Sequence, residues 1–176
     1  MDFVPFPKIP RLKRDVVITE KIDGTNALVA IDDAGNVQAG SRNRWITPEA
    51  DNFGFAKWVA EHVDELRELG PGMHYGEWWG QGIQRRYGLD EKRFSLFNVK
   101  RWFAQKPPAC CHVVPVLYTG PMTGVDEMLL ALTAGGSVAA PGWMSPEGIV
   151  VYHAASGHLY KVLCDGDDVP KGSVAA

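Results

Sequence analysis

The stretch TEKIDGTN, residues 19–26, sets a lysine between an acidic residue and a tight Asp-Gly turn, with apolar runs on either side. Val16-Val17-Ile18 lies upstream and Ala27-Leu28-Val29-Ala30-Ile31 downstream. Both runs read as strands, which carry their hydrophobic side chains inward, so Lys21 puts an ammonium group where sheet is expected. A surface lysine at a strand end would explain one such residue. A lysine-x-aspartate-glycine run arises by chance in a chain this long on the order of a few per cent of the time, so alone it says little.

Working outward, further polar residues interrupt strand-like segments in the same way. Ser41-Arg42-Asn43-Arg44 follows a strand, and Glu77 sits in HYGEWWGQGIQ between Gly76 and two tryptophans. Glu147 opens PEGIVVYH, directly before a run that reads as a buried strand, and Lys161 lies in HLYKVL, its hairpin partner. Two lysines, two arginines and two glutamates thus stand at sheet positions. Charged groups go inside a fold only when they are paired or functional.

The rest of the chain sets the frame. At 176 residues it fits one domain with a real core, spanning 1–176, with an irregular Pro/basic lead-in over 1–14 and a short tail from 165. Apolar content of 45% and charged content of 22% are ordinary for a globular chain, and a net charge of −3 gives no global attraction to a polyanion. Nucleic-acid contact therefore needs a local basic patch. No apolar run approaches the roughly 20 residues that span a membrane, and the lead-in lacks the apolar centre of a signal peptide. The three cysteines suit neither a disulfide framework nor a zinc site, which reads as a cytoplasmic protein with reduced thiols.

The pattern predicts strands over 16–21, 26–32, 36–40, 73–79, 94–99, 113–118, 148–153 and 158–163, the last two joined as a hairpin by Ala154-Ala155-Ser156-Gly157. Thr47-Pro48-Glu49 reads as a helix start, with Thr as N-cap and Pro at the first helical position. A helix is expected from Phe53 to Leu69, where Phe55, Trp58, Val59, His62, Val63, Leu66 and Leu69 recur at helical spacing, and a shorter one from Val125 to Ala134. These elements make one α+β domain of antiparallel β-sheets flanked by helices.

The polar set, taken in order, resembles the covalent nucleotidyltransferases: ATP-dependent RNA and DNA ligases and GTP-dependent capping enzymes. EKIDG matches motif I, SRNR motif Ia, YGEWWG motif III, FSLFNV motif IIIa, PEGIVV motif IV and LYKVL motif V, from residue 19 to residue 163. TEKIDGTN and GEWWGQGIQRRYGL are most similar to RNA ligases of the second family, the phage and bacterial RNA-repair type. The resemblance implies the ATP-grasp-like ligase core and three steps: adenylation of Lys21, AMP transfer to a 5′-phosphate end, and sealing by a 3′-hydroxyl. RNA ends or a nicked duplex would be the substrate.

The chemistry fits those residue types. A lysine amine attacks phosphorus only when deprotonated, and neighbouring cations favour that form. The resemblance assigns that field to Lys161 and a magnesium ion, with manganese as an alternative, held by Glu147 directly or through water. It implies that Glu77 accepts from the ribose hydroxyls, that Arg42 contacts the sugar and that Phe97 stacks on the purine. Glu20 and its neighbour Thr19 would read the adenine edge, partly through backbone, and Asn26 would join the nucleotide site. Asp23 and Gly24 would shape the turn that aims Lys21. Arg44 and Arg85-Arg86, within a run that continues through Lys92-Arg93 and Lys100-Arg101, form a candidate nucleic-acid strip.

Each residue also has a structural reading. Phe97 alternates with Ser95 as a core residue would, and Trp78 and Trp79 read as packing. Glu147 could be an ordinary turn acid, and the arginines solvated charge. Two departures from the family stand out. Motif V usually carries two lysines one residue apart, whereas here only Lys161 is present, with Leu163 or Leu159 at the second position. Little follows motif V, so the chain resembles a bare catalytic core without an oligonucleotide-binding barrel, and a partner protein could supply strand binding. Beside RNA ligation stand two alternatives: a minimal DNA ligase, and an ATP-binding sensor or accessory protein without turnover.

Overall fold

The structure, a computed structural model, describes residues 1–166. The expected tail from residue 165 therefore lies almost wholly outside the described residues. Ten strands and four short helices occur among them: β1 Asp15–Lys21, β2 Thr25–Ile31, β3 Val37–Ser41, β4 Trp45–Ile46, α1 Phe55–Glu61, α2 Val63–Leu66, β5 Gly72–Gly80, β6 Lys92–Leu96, α3 Val99–Ala104, β7 Cys111–Val113, β8 Val116–Pro121, α4 Val125–Gly135, β9 Gly148–His153 and β10 His158–Leu163. Residues 1–11 form no element and are exposed.

The strands divide between a four-stranded sheet of order β10-β9-β1-β8 and a six-stranded sheet of order β4-β3-β2-β5-β6-β7. Every pairing is antiparallel except β6 with β7, which run parallel. The outer face of the larger sheet, with Ala27, Val29 and Ile31, packs with Phe55, Val59, Leu66 and Leu69. The outer face of the smaller sheet, with Val16, Ile18, Ile149 and Val151, packs against Leu132 of α4 and its neighbours. A third, smaller cluster of Ile22, Trp79, Tyr87, Val114 and Ala140 joins the two sheets at one end of the space between them. This is the α+β architecture that the residue pattern predicts.

The motif I turn is the crossing from one sheet to the other. β1 ends at Lys21 in the smaller sheet and β2 begins at Thr25 in the larger. Gly24 passes so close to β5 that a Cβ there would stand 2.4 Å from the Trp78 carbonyl oxygen and 2.7 Å from Trp79 Cβ. No side chain fits, and the glycine in the quoted stretch is a packing requirement.

Four expectations about elements need correction. Thr47-Pro48-Glu49 starts no helix: the Ala50 N–H donates to the Thr47 carbonyl at 3.0 Å and to its hydroxyl at 3.3 Å, closing a turn. The helix begins at Phe55, where Asp51 takes the Ala56 and Lys57 N–H groups at 2.8 and 3.1 Å and so caps it from upstream. The helix from 53 to 69 is broken at His62, whose φ of −117° leaves the helical region and whose Nδ1 lies 2.8 Å from the Trp58 carbonyl oxygen. The strand over 94–99 ends at Leu96, because Asn98 caps α3 by accepting the Arg101 N–H at 3.1 Å. The segment 113–118 is two strands in different sheets, β7 and β8, so the chain crosses between the sheets a second time at Val114-Pro115.

Gly24→Ala should destabilise the fold by about 1–3 kcal/mol, since the rigid β5 backbone cannot yield. Gly135→Ala at the end of α4, where an added Cβ meets nothing within 4 Å, should be neutral or stabilise by up to about 1 kcal/mol. Urea denaturation of both variants checks the contrast, and equal loss would contradict the close approach.

Candidate functional site

Alternation along β1 sorts its side chains onto two faces. Val16, Ile18 and Glu20 are buried toward α4 and the loop after it, while Val17, Thr19 and Lys21 take the opposite face. Cross-strand register extends that second face: Lys21 lies opposite Gly148 and Gly148 opposite Leu163, and in the next row Thr19 lies opposite Val150 and Val150 opposite Lys161. Lys21 and Lys161 therefore share a face, one row apart. Gly148 leaves no room for a side chain, because a Cβ there would lie 2.1 Å from the Val162 carbonyl oxygen. Glu147, immediately before it, reaches across to Lys21.

The two meet at the centre of the site. Lys21 Nζ donates to Glu147 Oε2 at 2.5 Å, with side-chain exposures of 22% and 9%. An ion pair this far from bulk water is held by direct attraction between its partners, and removing either would strand the other.

On the larger sheet, Glu77 of β5 pairs in register with Asn26 of β2 and lies in the electrostatic range of Lys21 and Glu147. Its Oε1 accepts the Gly24 N–H at 3.0 Å and its Oε2 accepts from Asn26 Nδ2 at 3.1 Å. Asn26 Oδ1 in turn accepts from Arg42 Nε at 2.8 Å. Burial pushes the Glu77 carboxyl up to about 7, against the opposing pull of the Asn26 and Gly24 hydrogen bonds. Asn26, Arg42 and Phe97 all line a cleft of about 630 Å³, floored by Leu28, His74 and Gly76 of the larger sheet and reached by Leu159 of the smaller. Phe97 is 41% exposed there, just past the end of β6, so it is available for stacking and is not core. The cleft stops short of Lys21, and Asn26 links the two regions, since it lines the cleft and bonds to Glu77.

Not every expected residue comes to this place. The Glu20 carboxylate points to the opposite face, where Oε1 accepts from Ser137 Oγ at 2.5 Å and Oε2 accepts the Val138 and Ala139 N–H groups at 2.9 and 2.8 Å. Three donors hold the carboxylate beneath the sheet, so the expected contact with the adenine edge is open to Glu20 only through its backbone groups. Arg85 leaves the expected strip and bonds to Asp23 of the motif I turn. Within the rest of the expected strip, Lys92 donates to the Phe53 carbonyl, Arg93 pairs with Glu91 and Arg101 donates to the Leu69 carbonyl, while Lys92 and Lys100 remain exposed. Arg44 and Arg86 are exposed. One residue that the sequence reading passed over is Tyr87, whose hydroxyl accepts the Asp23 N–H at 2.7 Å.

The donor set fits a magnesium or manganese ion only in part. Glu147 is a hard, buried oxygen donor, yet the described residues hold no group of three or more acidic, histidine or cysteine side chains that could grip a metal. Such an ion would need oxygens from a bound phosphate and from water, which is how magnesium is usually held beside one or two carboxylates.

The raised Glu77 carboxyl makes stability depend on pH. Its unfolded form ionises near 4.5 and its folded form near 7, so the folded state is favoured below 4.5 and loses that advantage as pH rises toward 7. The loss is on the order of 3 kcal/mol at most. Urea unfolding between pH 4.5 and 7.5 should show this decline, and Glu77→Gln should flatten it whatever its absolute stability. An unchanged slope in the variant would assign the decline to another group.

The sequence pattern of the RNA ligase family matches residues 14–163. No curated protein matches. Among solved structures, forms of the Naegleria gruberi RNA ligase share the fold. A mutant form with ATP and Mn superposes with a TM-score of 0.62 at 20% identity, over 85% of this chain and 49% of that one. A mutant form with AMP and Mn gives 0.64 at 19% identity over the same shares, 85% and 49%. The form with PPi gives 0.63 at 22%, again over 85% and 49%. The chain thus spans about half the length of those ligases, and at such identities the likeness is one of fold. The family match is more specific, since it runs from just before β1 to the last residue of β10 and takes in both sheets and every motif between them. The chain belongs to the RNA ligase family.

Proposed function

We propose that the protein is an ATP-dependent RNA ligase that works through a lysyl-AMP intermediate on Lys21. The observation that carries this reading is the Lys21–Glu147 pair at 2.5 Å, set beside a cleft lined by Asn26, Arg42 and Phe97. The cleft would take the nucleoside, with Phe97 against the base and Arg42 near the sugar. Glu77, partly protonated near neutral pH, can both accept from and donate to ribose hydroxyls. The phosphates would then extend past Asn26 toward Lys21.

Adenylation requires the Lys21 ammonium to leave Glu147 and lose a proton. Its nitrogen lone pair then forms the N–P bond to the α-phosphorus as the bond to pyrophosphate breaks. Lys161, exposed on the same sheet face one row away, would offset charge on the phosphate oxygens. A magnesium ion at Glu147 would supply further positive charge for the departing pyrophosphate. Thr19, in the same row as Lys161, is proposed as a wall of the phosphate site. The 5′-phosphate end of RNA would accept the AMP, and the 3′-hydroxyl would seal the break. Arg44 and Arg86, both exposed, are the remaining candidates to touch the strand.

A sensor or accessory role is the second reading, favoured by one observation: Leu163, not a lysine, lies in the row of Lys21 and Gly148. Labelling separates the two. Incubation with α-labelled ATP and magnesium should leave acid-labile label on the protein, lost in Lys21→Ala. ATP binding without label would establish the sensor reading.

Two further outcomes test the parts. Glu147→Ala should slow adenylation and raise the magnesium requirement, whereas Glu77→Ala should mainly shrink the preference for ATP over 2′-deoxy-ATP. Identical responses to the two nucleotides would refute this division. Matched nicked duplexes that differ only in the sugars at the break should be sealed better with ribose on the 3′-hydroxyl side. Better sealing of the all-DNA nick would make the protein a DNA ligase.

A further inference from the structure

Arg85 makes contacts that neither nucleotide binding nor strand binding explains. Its Nε donates to Asp23 Oδ2 at 3.0 Å, two residues after Lys21. Its Nη1 donates to the Ser145 carbonyl at 3.1 Å and approaches the Pro146 carbonyl at 3.5 Å, the two residues before Glu147. One planar guanidinium thus spans the turn behind Lys21 and the segment that delivers Glu147.

The loop that carries it is built for that reach. Gln84, Arg86 and Tyr87 all have positive φ, at 43°, 61° and 53°, a left-handed backbone that non-glycine residues rarely adopt. The consequence is that Arg85 and Tyr87 close on the same residue. Tyr87, buried edge-on against Trp79, takes the Asp23 N–H while Arg85 takes its carboxylate. Asp23 is therefore held through both backbone and side chain. The Arg85 and Asp23 side chains are 34% and 27% exposed, so most of the pair is out of water.

We propose that Arg85 is a positioning residue for adenylation: it ties the turn after Lys21 to the segment before Glu147 and so fixes the separation of the two. This rests on the reading of Lys21 as nucleophile. β1 pairs with β9 only from Gly148 onward, so Glu147 lies outside the ladder, and Arg85 bonds to the segments on both sides of the Lys21–Glu147 pair. A lysine in place of Arg85 could satisfy Asp23 or a carbonyl, but it lacks the planar fork that satisfies both at once.

The test uses the full chain with Arg85→Ala and Arg85→Lys, and two independent readouts. In the first, adenylation is followed per folded molecule at varied ATP. Arg85→Ala should lower the maximal rate by about tenfold or more with little change in half-saturating ATP, and Arg85→Lys should recover part of it. In the second, the acylation of Lys21 by acetic anhydride, relative to exposed Lys100, is measured by mass spectrometry without ATP. Arg85→Ala should raise it about threefold or more, since a loosened Lys21–Glu147 pair leaves the amine freer to react. A lower labelled fraction at unchanged rate and unchanged Lys21 acylation would make Arg85 merely structural and overturn the proposal. Raised half-saturating ATP at unchanged maximal rate would make it a substrate contact, which also overturns it. Wild-type protein that takes no label, together with faster Lys21 acylation in the variant, would leave Arg85 as the tether and remove the lysyl-AMP reading instead.

Discussion

Three residues, Ile22 to Gly24, carry the chain from one sheet to the other, and the rest of the molecule is arranged around that crossing. Ile22 anchors it in the cluster that joins the sheets, and Gly24 presses on the β5 backbone where no side chain fits. Because β1 and β2 leave this point into different sheets, Lys21 and Asn26 are five residues apart yet belong to opposite walls. Each wall then brings its own partner: the smaller sheet supplies Glu147, and the larger supplies Glu77. A shift of one residue in β1 would turn Lys21 toward α4 and put Glu20 on the face that now carries Lys21, so the register of this strand is a condition for any chemistry.

The carboxylates at the site are kept in different conditions by their surroundings. Glu147 faces an ammonium at 2.5 Å, whereas Glu77 faces an amide and a backbone N–H while burial raises its carboxyl to about 7. One is suited to compensate positive charge, and the other to exchange hydrogen bonds with neutral hydroxyls. The division follows from position: Glu147 stands at the mouth of a strand, while Glu77 is enclosed within β5 among Trp78 and Trp79.

Much of this was legible in the sequence because polar residues that interrupt apolar strands are conspicuous. Lys21, Glu77 and Lys161 fall on strands, and Arg42, Phe97 and Glu147 directly beside strand ends, in or beside the space between the sheets. The Glu20 side chain lies on the other face, as period-2 alternation requires, since adjacent strand residues cannot both face one cleft. The strand expected over 94–99 missed α3, although Asn98 one residue before Val99 is an N-cap signal. The break at His62 and the cap by Asp51 were not legible, because both depend on a side chain returning to the backbone several residues away. The reach of Arg85 depends on left-handed backbone at three non-glycine residues, for which composition gives no signal.

The anchorage of Glu20 imposes an unusual kind of constraint on the loop after α4. Ser137 contributes its hydroxyl, but Val138 and Ala139 contribute only their main-chain N–H groups. In a lineage drifting under selection for this strand register, position 138 would be nearly blind to side-chain identity, since Val138 is exposed enough to accept bulk or charge, whereas Ala139 also packs against the cluster that joins the sheets. Proline alone is barred, because it removes the donor. Such a position looks unconstrained when judged by the variety of residues it tolerates, yet it holds β1 in place from the face opposite Lys21.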